Sequence, residues 1–189
     1  MMRLAAAVLG ALLLVSACST SKDAVEAGTD FVFVSPGGKT DITYDGADRK
    51  PMPNLTGPSL SDDAQISVAA YRGKVVVLNI WGQWCGPCRL ETPELQKVQD
   101  KYAASTQIIG IDVRDNERQA PQDFLRDRSI TYPSIYDPPG KTLLALKGYP
   151  RAVVPATFVL DKQGRVAAAF MRDLLATDLI PLIDRLTAE

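Results

Sequence analysis

The chain has 189 residues, 46% hydrophobic and 23% charged, so it carries enough apolar material for one globular domain with a buried core. Its formal net charge is -1, and it contains no long basic run. We therefore expect no nucleic-acid binding and no electrostatic attraction to an anionic lipid surface.

The N-terminus has the pattern of an export signal. Arg3 precedes an apolar run over residues 4–15, which at about twelve residues is shorter than the ~20 that a membrane-spanning helix needs. The sequence "VSAC", ending at Cys18, resembles the lipobox of bacterial lipoproteins, which implies that Cys18 becomes the lipid-modified first residue. The alternative is an ordinary signal peptide in which Cys18 is incidental. We predict a signal peptide over residues 1–17 and a polar, lipid-anchored tether over 18–30.

The predicted domain covers residues 31–189 and begins with a β-hairpin. Two short apolar segments, 31–34 and 42–44, flank the turn-forming sequence "SPGGKTD". Residues 45–59 are rich in proline, glycine and polar side chains, which predicts a loop.

A buried strand and a helix are predicted next. The unbroken apolar run from Val75 to Ile80 is typical of a strand covered on both faces. A helix should start at the cysteines, with a kink at Pro93. Its predicted core-facing residues are Leu90, Leu95, Val98 and Tyr102.

The remaining elements alternate between strands and helices. Residues 107–113 predict a second buried strand, and "APQDFLRDRS" a short helix. A short strand, a Pro-Pro-Gly turn and a brief helix ending at Gly148 follow. "ATFVLDKQGRVAAAF" predicts two antiparallel strands, and a C-terminal helix begins at the N-cap Thr177. This order predicts an α/β fold with a mixed sheet between helices.

The sequence "WCGPC" contains a pair of cysteines, Cys85 and Cys88, that could bind a metal, form a structural disulfide or transfer electrons. A structural zinc site needs four nitrogen or sulfur ligands and an iron-sulfur cluster four thiolates, whereas the chain has no histidine and three cysteines. We predict no metal and no cofactor besides a redox-active Cys85–Cys88 disulfide. An inert structural disulfide is the alternative, although so short a loop removes little entropy from the unfolded chain. A helix N-terminus would stabilise a Cys85 thiolate, and Cys88, one turn inward, would resolve a mixed disulfide.

The segment "VVVLNIWGQWCGPCRLETPEL" resembles the active-site region of the thioredoxin superfamily. It is most similar to the TlpA/ResA-like branch of membrane-anchored, extracytoplasmic thiol-disulfide oxidoreductases, and the similarity runs from about Leu60 to the C-terminus. The resemblance implies a thioredoxin-like mixed sheet flanked by helices. It also implies a helix-strand insertion near residues 115–140, which follows the N-terminal β-hairpin extension predicted above.

The resemblance also assigns residue roles. It implies catalytic roles for Cys85, Cys88, Glu91 and Pro155, and a substrate-binding surface at Trp84, Gly86, Pro87 and Val154. In the family a cis-proline loop faces the dithiol, and "VVPATFVLD" resembles that loop, although sequence alone does not decide whether Pro155 is cis. An extended backbone at Val154 could pair with a substrate segment.

Two positions near the cysteines, Asn79 and Glu91, concern proton transfer at the active site. Asn79 replaces the titratable aspartate of thioredoxin, so the proton relay must differ. Glu91 matches the glutamate of the family pattern C-x-x-C-x-x-E-x-P, which influences cysteine pKa and proton delivery. A solvated carboxylate in the first helical turn is the alternative interpretation of Glu91.

The resemblance implies a reductant of disulfides in exported proteins, with the haem-binding cysteines of apocytochrome c as the best single candidate. A membrane electron-transfer protein would recharge it, and lipid at Cys18 would hold it to the bacterial cell membrane. Reduction is favoured because Gly86 and Pro87 match the reducing thioredoxin. An oxidative folding catalyst and a non-catalytic lipoprotein with a permanent disulfide remain alternatives, and a peroxidase is a weaker one.

Overall fold

The computed structural model of the protein describes residues 30–189. The predicted signal peptide, Cys18 and all but the last residue of the tether lie outside the described residues. Within the described part, no helix has the length and apolar character needed to cross a bilayer.

The described chain contains a six-stranded mixed sheet, a separate two-stranded sheet and three α-helices. The strands are β1 Asp41–Thr43, β2 Thr56–Pro58, β3 Gln65–Ser67, β4 Val75–Trp81, β5 Thr106–Asp112, β6 Ser134–Tyr136, β7 Ala156–Leu160 and β8 Val166–Phe170. The helices are α1 Gly86–Tyr102, α2 Gln119–Asp127 and α3 Ala176–Ala188. The larger sheet has the order β1-β8-β7-β4-β5-β6. β4 pairs with β5, and β5 with β6, in parallel, whereas the other pairs are antiparallel.

Strand β4 lies at the centre because it is apolar on both faces. Val75 and Val77 pack toward Leu95 of α1 and Ile183 of α3 on one face. Val76, Leu78 and Ile80 pack into a second cluster that contains the aromatic rings of Phe31, Phe33 and Phe158. All seven residues of β4 are buried, as the unbroken apolar run predicts. The carboxyl end of this rigid strand leads directly into the cysteine motif.

The predicted N-terminal hairpin is wrong. Residues 31–34 form no strand, because the Phe31 and Phe33 rings pack edge-on against Phe158, with centroids 6.0 and 6.1 Å away. Their backbone N–H groups donate instead to the carbonyls of Pro51 and Lys147. β1 pairs with the exposed edge of β8. The antiparallel pair in this region is β2–β3, whose first strand lies in the predicted loop.

Two helix details also differ from the prediction. Leu90 is 73% exposed and does not face the core. It lies five residues before buried Leu95, and five residues turn a helix by roughly 500°, which is one full turn plus about 140°. Leu90 therefore points away from the core-facing side of α1. α3 begins at Ala176, so Thr177 is not its N-cap. The N–H of the preceding Leu175 donates to Asp178 Oδ2 at 2.8 Å. Pro93 lies within one continuous 17-residue helix.

Gly148 fixes the position of the N-terminal segment. Its φ is +78°, and a Cβ at this position would overlap the Phe33 carbonyl oxygen.

We expect Gly148→Ala to lower the free energy of unfolding by about 2–3 kcal/mol, because alanine is strained in the left-handed region and its Cβ would displace the Phe33 backbone. Gly37→Ala is the control: its φ is +63° with open space around the Cβ, so only the strain, about 1 kcal/mol, should appear. Urea denaturation measures both, and equal losses would contradict the packing role.

Candidate active site

The two cysteines form a disulfide at the N-terminus of α1. Cys85 is the N-cap, and the Cys88 N–H donates to Cys85 Sγ at 3.3 Å. Cys85 is 4% exposed and Cys88 is fully buried, so any partner would reach Cys85 first. When the disulfide is reduced, the unpaired N–H groups and the helix dipole would stabilise a thiolate at Cys85.

The loop between β4 and α1 is shaped by Trp84. Its indole Nε1 donates to the Val113 carbonyl at 2.8 Å, and the ring lies against Gly82, where a Cβ would overlap it. The ring remains 45% exposed. Gly86 and Pro87 are also exposed, so these three residues of the predicted substrate surface lie on the outside of the molecule beside Cys85.

The loop before β7 faces the disulfide. The Val154–Pro155 peptide bond is cis, which the sequence alone did not decide. The Val154 carbonyl oxygen lies 3.8 Å from Cys85 Sγ, and Val154 is half-buried while Pro155 is buried. The structure therefore brings Val154, Pro155 and the cysteine pair together, in the arrangement that the resemblance implies.

Glu91 is 1% exposed, so the alternative of a solvated carboxylate is wrong. Its side chain accepts hydrogen bonds from Asn79 Nδ2 at 3.0 Å and from the Leu174 N–H at 3.2 Å, with Thr157 Oγ1 at 3.4 Å. Burial raises its pKa to about 8, against the lowering effect of these donors. Glu91 can therefore hold or release a proton near neutral pH, one helical turn beyond Cys88.

Sequence reasoning missed a buried aspartate behind the cysteine loop. Asp112 ends β5 opposite Trp81 and is fully buried, and neither oxygen accepts a hydrogen bond from any described residue. Burial, followed by the neighbouring Asp115 carboxyl, raises its pKa to about 9. Asp115 in turn accepts the Gln83 N–H at 2.6 Å. An acid directly after the apolar residues 108–111 of the predicted buried strand was the available signal.

Metal binding has no candidate in the described part of the chain. No group of three or more histidine, cysteine, aspartate or glutamate side chains within residues 30–189 is arranged to hold an ion. The expected lack of a metal or other cofactor stays a prediction.

Residues 49–169 match the model of the AhpC/TSA family. The chain belongs to this family. It is 31% identical over 118 residues to thiol-disulfide oxidoreductase ResA of Bacillus thuringiensis. That match covers 62% of this chain and 65% of ResA, slightly less than two thirds of the relative's length. It is 30% identical to thiol:disulfide interchange protein DsbE of Pseudomonas aeruginosa, covering 74% of this chain and 77% of that protein.

Two solved structures are also similar to this chain. A DsbF homologue from Corynebacterium diphtheriae is 52% identical with a TM-score of 0.80, covering 83% of this chain and 99% of that one. A secreted thiol-disulfide isomerase from Corynebacterium glutamicum is 44% identical with a TM-score of 0.82, covering 86% and 100%. The predicted fold class and the resemblance to thiol-disulfide oxidoreductases are confirmed.

Proposed function

We propose that the protein is an extracytoplasmic thiol-disulfide oxidoreductase that exchanges electrons with disulfides of exported proteins. The observation that carries this proposal is the Cys85–Cys88 pair at a helix N-terminus, facing the Val154–Pro155 loop. The names of the ResA, DsbE and corynebacterial relatives support the same chemistry. The disulfide itself is the only redox group that the proposal requires.

The reductive half-cycle transfers two electrons. The Cys85 thiolate attacks one substrate sulfur, forming a mixed disulfide and releasing the other substrate sulfur as a thiolate that takes up a proton. The Cys88 thiolate then attacks Cys85 Sγ, which forms the Cys85–Cys88 disulfide and releases the second substrate sulfur as a thiolate that takes up a proton. We propose that the ionised form of Glu91, which lies one helical turn beyond Cys88, accepts the Cys88 proton before the second step.

Reduction is the direction that we propose. Gly86 and Pro87 match the reducing thioredoxin, and the chain has no histidine to stabilise the Cys85 thiolate further. Apocytochrome c is the substrate proposed within the class of exported disulfide proteins. A membrane dithiol electron carrier would reduce the Cys85–Cys88 disulfide again, and lipid at Cys18 would keep the domain beside that carrier.

Oxidation or isomerisation of exported proteins is the second candidate. It is favoured by the 44% identity to a protein described as a secreted thiol-disulfide isomerase. Oxidation is the same two-step exchange run in the opposite direction, with two electrons passing from a substrate dithiol to the Cys85–Cys88 disulfide. Isomerisation transfers no net electrons: the Cys85 thiolate attacks a substrate disulfide, the freed substrate thiolate attacks a different disulfide bond, and Cys85 is released as a thiolate.

Equilibration of the protein with glutathione tests the proposal. We expect a reduction potential nearer to the about -270 mV of thioredoxin than to the about -120 mV of a strong oxidant. We also expect the dithiol form to reduce one equivalent of a disulfide peptide. A potential at the oxidant end would favour oxidation of substrates instead, and rearrangement of a scrambled disulfide protein without net oxidation would favour isomerisation. Failure to exchange with any disulfide would contradict both candidate functions.

A further inference from the structure

Arg114 has an unusual backbone conformation beside the candidate active site. Its φ is +64°, in the left-handed region that arginine rarely adopts. The Arg114 N–H donates to the Pro138 carbonyl at 3.0 Å, which holds the turn in place. A strained residue of this kind persists where its surroundings require its side chain in one position.

The Arg114 side chain connects the two loops of the candidate active site. Its Nη2 donates to the Arg151 carbonyl at 2.6 Å, three residues before Val154. Its guanidinium carbon lies 5.2 Å from the centroid of the exposed Trp84 ring, within the range of a cation-π contact. The side chain therefore spans from the residue adjacent to Cys85 to the loop that faces it.

The charge of Arg114 is not neutralised by its neighbours. Arg89, Arg114 and Arg151, which we call the arginine rim, are all exposed, and none takes part in an ion pair within residues 30–189. Asp115, the acid next to Arg114, is buried and bonded to the Gln83 N–H. The exposed acid nearest to Arg114 in the chain is Glu117, in the same loop, and another exposed acid, Asp173, lies near Glu91.

We propose that Arg114 is a specificity-determining residue which selects disulfide substrates carrying acidic side chains next to the reacting cysteine. The inference rests on the proposed function and narrows its substrate class. A guanidinium has five N–H donors, and only one is committed to the Arg151 carbonyl. The others can bind a carboxylate with charge-assisted hydrogen bonds, while the cation-π contact with Trp84 keeps the group oriented before the substrate arrives.

The test uses three disulfide peptides that differ only in the residues flanking their cysteines: aspartates, glutamines or lysines. The dithiol form of the protein reduces each peptide at low ionic strength, and the second-order rate constants are compared. We expect the aspartate peptide to react about tenfold faster than the lysine peptide, with the ratio falling as salt is added. Arg114→Glu should bring the ratio to about one or below, and Arg114→Lys should keep part of the preference, since it keeps the charge but loses the planar contacts.

Arg185→Glu is the matched control for net charge. Arg185 is exposed in the last turn of α3 and faces Asp45. The first turn of α3 contacts α1 through the Ala176 N–H and Glu94, and about 14 Å of helix separates Arg185 from that contact. This variant should keep the wild-type preference. Equal rates for the aspartate and lysine peptides, or an unchanged preference in Arg114→Glu, would overturn the role of Arg114 while the exchange activity stands. Failure to reduce any of the three peptides would instead overturn the proposed function.

Discussion

Replacing Cys85 by serine is expected to abolish disulfide exchange, with a rate loss greater than about 10³-fold, because the variant lacks the nucleophile that meets the substrate. Cys88 cannot substitute for it, since its side chain is fully buried. The measurement is the rate of reduction of a disulfide peptide by the prereduced protein. Residual activity close to that of the wild type would assign the attacking sulfur to Cys88.

The Cys88→Ser variant is expected to stop at a later step of the exchange than Cys85→Ser does. Its Cys85 thiolate can still attack a disulfide, but no second sulfur is available to resolve the product, so a mixed disulfide should accumulate. Mass spectrometry of the denatured protein would show one substrate moiety attached at Cys85. The Cys85→Ser/Cys88→Ser double variant is the control and should carry none. A Cys88→Ser protein that never forms an adduct would support the non-catalytic binding module.

The second large effect is a loss of stability with rising pH, caused by Asp112. Because its pKa is raised to about 9, the folded state keeps a proton on this carboxyl that the unfolded chain releases near pH 4. This stabilisation is complete below the pKa that Asp112 has in the unfolded chain, and it is lost as the pH rises toward the pKa that Asp112 has in the folded protein. Between pH 5 and 8 this group alone should lower the free energy of unfolding by about 1.4 kcal/mol per pH unit.

Asp112→Asn should remove this contribution, because asparagine resembles the protonated acid and does not titrate. Urea denaturation of the oxidised protein at pH 5, 6, 7 and 8 should give a shallower slope for the variant, with the largest gain in stability at pH 8. Glu91→Gln should reduce the slope in the same way, since the pKa of Glu91 is also raised, to about 8. The exposed Asp127→Asn is the control and should change stability by less than ~0.5 kcal/mol. Parallel pH profiles for wild type and Asp112→Asn would contradict the prediction.

Local patterns in the sequence predict most of the central fold. The apolar run of β4 requires cover on both faces, and the cysteine motif after it marks the start of α1. The turn between β7 and β8 also forms where its sequence indicates. The N-terminal segment could not be predicted in this way. Its aromatic residues suit a strand, but Phe31 and Phe33 gain more by packing on the distant Phe158 than by pairing locally.

The sequence by itself led to the proposed chemistry: two cysteines in "WCGPC", no histidine and too few ligands for a metal centre favour thiol-disulfide exchange over metal binding. Only the tertiary structure decided how the groups around them behave. Glu91 and Asp112 could have been ordinary solvated acids, and packing between the sheet and its helices removes the water that would keep their pKa values low. Likewise, the approach of the Val154 carbonyl to Cys85 and the contact between Arg114 and Trp84 join segments far apart in the chain. Such contacts depend on strand order and loop packing, which local residue patterns do not specify.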